Sequence, residues 1–392
     1  MKVKLLVFQG IQKIRQKIIE LSLIIPVISL YIYALSTLDV KSKLIISTIS
    51  TLLVFFIGAI SLDLEIGSVG LPNFGKVAFF AIGAYISSLL YSVYDVSYPI
   101  SVIVALIISC LFGYILSIPT VNLRADYFAI MTIAGGEFIR LVFQNEKRWL
   151  WAPSSLPPYT PTQVISNRAK AEFITMSPFN MRLSDLDIRI FKDLNFDQLF
   201  LWEITLVVIF FLIALFIYWF IEQFRKSPYG RILRAIRDDD ITVTSVGKDV
   251  SRFRWQVTTI SAFICGLAGV MYAFSFSAFE ASDFRPELTF ILYFYVIIGG
   301  LGNSKGVFLG TAIVTLFMQA ASVEAVQKTI NFHIGPDSPI FGHLLSLLQL
   351  NIFINPFNMR YVILGTILIL FLMFKPEGLI PESKNVYKHG EL

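Results

Sequence analysis

The sequence predicts an all-α membrane protein, a polytopic bundle of about ten transmembrane helices. Three observations lead there. Of the 392 residues, 56% are hydrophobic and only 15% charged, mean hydropathy is +0.71, and long stretches show no polar helix face. A soluble chain carries about a quarter charged residues, and a soluble helix needs one polar side. The 36 Phe exceed what one water-exposed core requires and suit surfaces facing lipid.

A helix crosses the hydrocarbon core with roughly 17–25 mainly apolar residues. By that measure the spans lie near 21–38, 44–62, 74–94, 99–118, 127–143, 200–221, 255–279, 288–301, 306–323 and 359–374. Residues 1–20 read as a cytoplasmic amphipathic segment. The apolar run from Leu21 is long, is followed at once by another span, and lacks a small-residue cleavage site, so it is expected to stay as a span. Residues 21–143 make a first transmembrane bundle. Segment 144–199 is polar and holds Pro153, Pro157, Pro158, Pro161 and Pro178, which fits an extracytoplasmic cap or hairpin. Residues 200–374 make a second bundle around the charged inside loop 222–254, and 375–392 form a cytoplasmic tail.

Lys and Arg placement sets orientation. With both termini inside, the basic residues gather in inside segments 2–17, 225–254 and 375–388, together with Lys76, Arg124 and Lys305. Short outside segments keep only Lys41, Lys43, Arg285, Lys328 and Arg360. Trp149, Trp151, Trp202, Trp219 and Trp255 fall at span ends, where an aromatic belt lies. The net charge of +5 therefore reads as topology at a plasma membrane, and no nucleic-acid partner is expected.

Several function classes drop out. Cys110 and Cys265 both lie in apolar runs, and His333, His343 and His389 have no metal-ligand spacing. No phosphate-binding loop G-x-x-x-x-G-K-[ST] occurs, so the chain should not hydrolyse nucleotide by itself. The run Gly299-Gly300-Leu301-Gly302-Asn303 reads as a tight turn with close helix approach. No triad or dinucleotide pattern stands out, so neither enzyme activity nor a cofactor is expected.

Glu137 and Arg140 can pair on one helix face at i, i+3. Ionisable residues inside a membrane point to function by default, while a purely structural pair near the outer end fits equally well. Small residues at Gly83/Ser87, Ser109/Gly113 and Ala262/Gly266 suit close helix packing. Ser227-Pro228 opens a short amphipathic helix with an Ile232, Leu233, Ile236 stripe, and Gly247 ends the run. Such a helix either lies on the inner leaflet, attracted to membrane lipid, or docks into a cytoplasmic partner.

Five segments, in order, resemble the branched-chain amino-acid ABC importer permeases of the LivM type. Residues 71–85 (LPNFGKVAFFAIGAY) and 127–140 (YFAIMTIAGGEFIR) are similar to two of the family's membrane motifs. Residues 227–240 (SPYGRILRAIRDDD) resemble its cytoplasmic loop, and Gly299–Asn303 and Lys375–Leu379 its two later signatures. The resemblance covers about residues 44 to 380 and implies an ABC importer permease fold. It implies ABC ATPase subunits, a second permease of the LivH type and an extracytoplasmic solute-binding protein as partners. By the same resemblance, Gly230, Arg231, Arg234, Ile236, Arg237, Asp240 and Gly247 would couple to the ATPase. Asn73, Lys76, Glu137, Arg140, Gly300 and Gly302 are candidates for the translocation path. The family usually has His or Gln where Lys76 stands, which puts a charge near the mouth of that span. Related permeases carry urea, short amides or sugars, and a stand-alone ion-coupled carrier or channel is the competing reading.

Overall fold

A computed structural model describes residues 41–92, 94, 96–118, 125–145, 198–276, 279, 281–321 and 356–382. Among these residues lie eleven α-helices, one 3₁₀ turn and no strand. In chain order they are α1 (Lys41–Val69), α2 (Lys76–Ser92), α3 (Tyr98–Ser117), α4 (Ala125–Asn145), α5 (Gln198–Lys226), α6 (Pro228–Asp238), α7 (Asp240–Ser245), α8 (Val250–Ser275), the 3₁₀ turn (Ala281–Phe284), α9 (Pro286–Gly299), α10 (Ser304–Ala321) and α11 (Pro356–Phe374). Nine of the ten predicted spans fall on these helices. The span at 21–38, the segment 1–20, residues 146–197 of the predicted cap and the tail from 383 lie outside the described residues.

Four of these helices are long and apolar enough to cross a membrane: Ile45–Val69, Tyr98–Ser117, Ile204–Lys226 and Val250–Ser275. Lys76–Tyr91, Pro286–Gly299, Ser304–Ala320 and Leu364–Phe374 are shorter apolar stretches of helix. Four helices start where proline stands in the first turn, at Pro99, Pro228, Pro286 and Pro356. That position has no helical partner for an N–H, so the missing donor costs nothing.

Helix α8 packs against α1, α2 and α3, and small residues are the reason it can. A Cβ added to Gly83 would overlap the Gly266 carbonyl, one on Gly266 would meet the Ser109 side chain, and one on Gly113 would meet Ala262. The three small-residue pairs read from the sequence thus pack on one another. Lipid tails are as apolar as Leu, so helices in a bilayer associate through such close van der Waals contact. A second contact joins the α9–α10 hairpin to α1, with α5 on another side of α1. The outward faces of α3 and α5 carry Ile103, Ile107, Leu111, Phe211, Leu212 and Phe216, all exposed, as a lipid-facing surface requires.

Between α1 and α2 the chain is not helical. Gly70 turns it at φ 79°, and residues 70–75 run back into the bundle before α2 begins at Lys76. The partners of this stretch fix its depth. Phe74 N–H donates to Thr132 Oγ1 on α4 at 3.1 Å, and Val77 N–H donates to Thr289 Oγ1 on α9 at 3.1 Å. The Lys76 side chain reaches Ser261, whose hydroxyl donates to the Ser61 carbonyl. Ser61 lies two turns above the end of α1, about 12 Å at 1.5 Å per residue. The non-helical stretch 70–75 thus interrupts the path inside the bundle, and α2 begins with its N-terminus at depth.

Candidate functional site

Lys76 stands at this interruption. From sequence it reads as a charge near the mouth of its span, yet its side chain is 0% exposed. The Nζ atom pairs with Glu65 Oε1 at 3.1 Å, and Glu65 is also 0% exposed. Lys76 Nζ further donates to Ser261 Oγ and lies 5.5 Å from the Phe79 ring centroid. Isolated charges are very costly in a bilayer interior, so each requires the other. Asn73, whose Oδ1 accepts the Gly75 N–H at 3.0 Å, turns its amide toward the same carboxylate. Phe74 stacks on Tyr293 of α9 with centroids 4.6 Å apart, and Tyr293 lies within electrostatic reach of Glu65.

A second polar knot sits where α1, α5 and α10 end together. Arg225 donates to Asp63 Oδ2 at 2.5 Å, to Ser304 Oγ at 2.9 Å and to Ser68 Oγ at 3.3 Å. The same Asp63 accepts the Gly302 N–H at 2.8 Å. Gly300 and Gly302 take φ of 113° and 76°, a region closed to most side chains, which is why this turn needs glycine. Over the turn runs the C-terminal stretch: Leu379 N–H donates to the Ile298 carbonyl at 2.9 Å and Ile380 N–H to the Gly299 carbonyl at 3.0 Å.

Helices α6 and α7 lie across this end. Ser227 caps α6 by accepting the Gly230 N–H at 3.3 Å. Gly230, Leu233 and Ile236 face the bundle and are buried. A Cβ on Gly230 would overlap the Arg225 carbonyl, so helix α6 meets the end of α5 at contact distance. Arg237 donates to the Gly67 carbonyl of α1 and pairs with Glu382 at 2.8 Å, while Arg234 approaches Glu382 at 3.7 Å. The sequence predicts one helix up to Gly247. The structure divides it, because Asp239 leaves α6 and caps α7, accepting from Ile241 and Thr242 N–H. The Thr242 hydroxyl, which also donates to this carboxyl, and then these backbone bonds hold Asp239 below its usual range. Asp240 pairs with Arg254 of α8 at 2.8 Å, and Gly247 ends α7 with φ 78°.

The outward side of α6 and α7 is free. Arg231 is exposed, as are Ile241 at 76% and Val246 at 74%. Between the ends of α1 and α5, helix α6 and the turn before α10 opens a cavity of about 340 Å³ lined by residues that include Glu222, Arg225, Lys226, Arg234, Lys305 and Glu382.

Glu137 and Arg140 form the predicted pair, bidentate at 2.9 and 2.5 Å, and Arg140 also donates to Gln144 Oε1 at 2.8 Å. The pair lies farther along α4 than Thr132, partly exposed, and apart from the Lys76 cluster. The structure thus gathers the predicted sites into three places. Asn73 and Lys76 meet at the interruption, Gly300 and Gly302 join α6 at the charged end, and Glu137 and Arg140 pair on α4 with Gln144 beside them. Asp63, Glu65, Arg225, Ser261, Tyr293 and Glu382 were missed. Ending the span at 62 left Asp63 and Glu65 in a loop; two carboxylates closing an apolar run were the available signal.

No solved structure matches the chain. Three curated relatives do, each 26% identical. A probable branched-chain amino acid transport permease protein LivM from Methanocaldococcus jannaschii aligns over 84% of this chain and 91% of its own length. High-affinity branched-chain amino acid transport system permease proteins LivM from Salmonella typhimurium and Escherichia coli align over 86% and 92% of this chain, and 70% and 76% of theirs. Residues 44–372 match the family described as the branched-chain amino acid transport system permease component. With its interlocked apolar helices and that match over most of its length, the chain is a membrane protein belonging to this family of transport permeases.

Proposed function

We propose that this chain forms half of the translocation pathway of an ATP-driven ABC importer for branched-chain amino acids or related small polar solutes. Its partners in that reading are ABC ATPase subunits, a second permease of the LivH type and an extracytoplasmic solute-binding protein. The site is the plasma membrane, with both termini cytoplasmic, the bundles 21–143 and 200–374 spanning it and segment 144–199 as the outer cap. The observation that carries the reading is the two-sided α6–α7 element. One side is tied to α1, α5 and the C-terminal stretch through Gly230, Ile236 and Arg237. The other offers Arg231, Ile241 and Val246 to a partner. Closure of the ATPases would push this element and, through Arg225, Gly300 and Gly302, shift the ends of α1, α9 and α10. Lys76 and Asn73, with Glu137 and Arg140 farther out, are the polar groups that line the path.

The test is solute uptake by the assembly reconstituted in proteoliposomes. Uptake requires ATP and stops when the phosphate-loop lysine of the ATPase partner is replaced. One observation favours a second reading, an ion-coupled carrier: the path into α2 is interrupted beside buried charges, as in many such carriers. That reading predicts uptake by this chain alone under an ion gradient without ATP.

A further inference from the structure

Around the interruption before α2 sit buried polar groups that the fold leaves unused. The Asn73 Nδ2 atom and the Tyr293 hydroxyl have no hydrogen-bond partner, although Asn73 is 0% and Tyr293 6% exposed. The Glu65 carboxylate beside them is held by its ion pair with Lys76 at 3.1 Å. Native interiors satisfy nearly all buried polar atoms, so two unmet donors near a buried ion pair call for an explanation. The first-turn N–H groups supply none. Phe74, Gly75 and Val77 N–H are taken by Thr132, Asn73 and Thr289.

We propose that this cluster is the solute subsite of the permease and reads the zwitterion of an α-amino acid, Lys76 taking the carboxylate and Glu65 the ammonium. The proposal rests on the importer reading above and names the residues that recognise its solute. In the pair seen here each charge satisfies the other. A zwitterion entering between them gives each a new counter-charge, so no unmatched charge is buried in either state. A ligand carrying one charge leaves Lys76 or Glu65 unpaired at depth, which the bilayer interior penalises. Asn73 Nδ2–H and the Tyr293 O–H supply donors for the second carboxylate oxygen. Phe74, stacked on Tyr293, gives the apolar wall that an aliphatic side chain requires.

The experiment is equilibrium binding of radiolabelled leucine to the purified permease–ATPase assembly without its binding protein. Leucinamide, which keeps only the cation, and 4-methylvalerate, which keeps only the anion, serve as competitors. The expected result is saturable leucine binding, with both analogues at least ten-fold weaker competitors. Tyr293→Phe should weaken leucine several-fold, and the neutral double variant Glu65→Gln/Lys76→Gln should bring the three ligands level. Equal competition in the unaltered assembly, no leucine binding at millimolar concentration, or a double variant that keeps its preference for leucine overturns the proposal. If the double variant does not accumulate, Tyr293→Phe decides: it loses one hydroxyl, and unchanged binding overturns the proposal. ATP-driven leucine uptake, measured after adding the binding protein, separates the two readings, since its absence removes the importer reading itself.

Discussion

Asp63 and Arg225 meet at 2.5 Å where helices end, and the same carboxylate takes the Gly302 N–H. Asp63 is fully buried, so removing Arg225 leaves a charge without a counter-ion. Arg225→Met should therefore cost about 3–5 kcal/mol, seen as a lowered thermal midpoint of the purified permease, and Asp63→Asn on the same chain should restore much of it. A single variant as stable as the parent contradicts this account of the knot. Asp239 gives the pH-dependent case. Its folded pKa is depressed, chiefly by the Thr242 hydroxyl and also by backbone N–H donors, so its cap is present at neutral pH and lost as pH falls through that lowered value. Amide exchange at Ile241 and Thr242, corrected for intrinsic rate, should rise over that range; Asp239→Asn should remove the pH dependence. These side chains differ in how far the sequence showed them. The Glu137–Arg140 pair follows from spacing alone, because i, i+3 neighbours on a helix must be close. The Lys76–Glu65 and Arg225–Asp63 pairs join separate helices, and their partners depend on packing that no local spacing encodes.

Among the elements, α6 and α7 are where force would arrive from outside in the importer reading, and the α2–α3–α8 crossing holds the bundle. Gly247 has φ 78° and nothing within 4 Å of a built Cβ. Gly247→Arg should strain the end of α7 without a clash, abolishing uptake while the protein stays in the membrane at normal level; full uptake would sink the coupling role. Gly83→Leu is the contrasting case, since any side chain there meets the Gly266 carbonyl. That variant should fall in membrane abundance together with activity, measured by quantitative immunoblot. Helix existence was legible wherever an apolar run was bounded by proline or a capping residue, as at Ser97–Pro99 and Ser227–Pro228. The split of the predicted 228–247 helix was not, because Asp238, Asp239 and Asp240 read alike as a solvated face until one turns back as a cap. Nor was the depth of α2: Leu71-Pro72-Asn73 marks a break, but only Thr132 and Thr289 show that it lies inside the bundle.

At the scale of the molecule, the charged ends gather on one side and the apolar faces of α3, α5 and α11 point outward. Helix α8, from the second half of the chain, packs among α1, α2 and α3 of the first, so in the importer reading a movement imposed on α7 would pass through it to the helices that carry Glu65 and Lys76. The basic end with Arg231, Ile241 and Val246 exposed is the face a soluble partner would meet in the importer reading. Ile241→Asp with Val246→Asp should detach such a partner while leaving the helices packed, because neither side chain is buried. The most direct test of the importer account is affinity purification of this chain from native membrane in mild detergent, followed by identification of the proteins that elute with it. The account predicts an ATPase bearing a phosphate-binding loop together with a second permease, both lost in the Ile241→Asp/Val246→Asp variant or reduced to the permease alone. A chain that elutes by itself and yet transports in liposomes without ATP would contradict it.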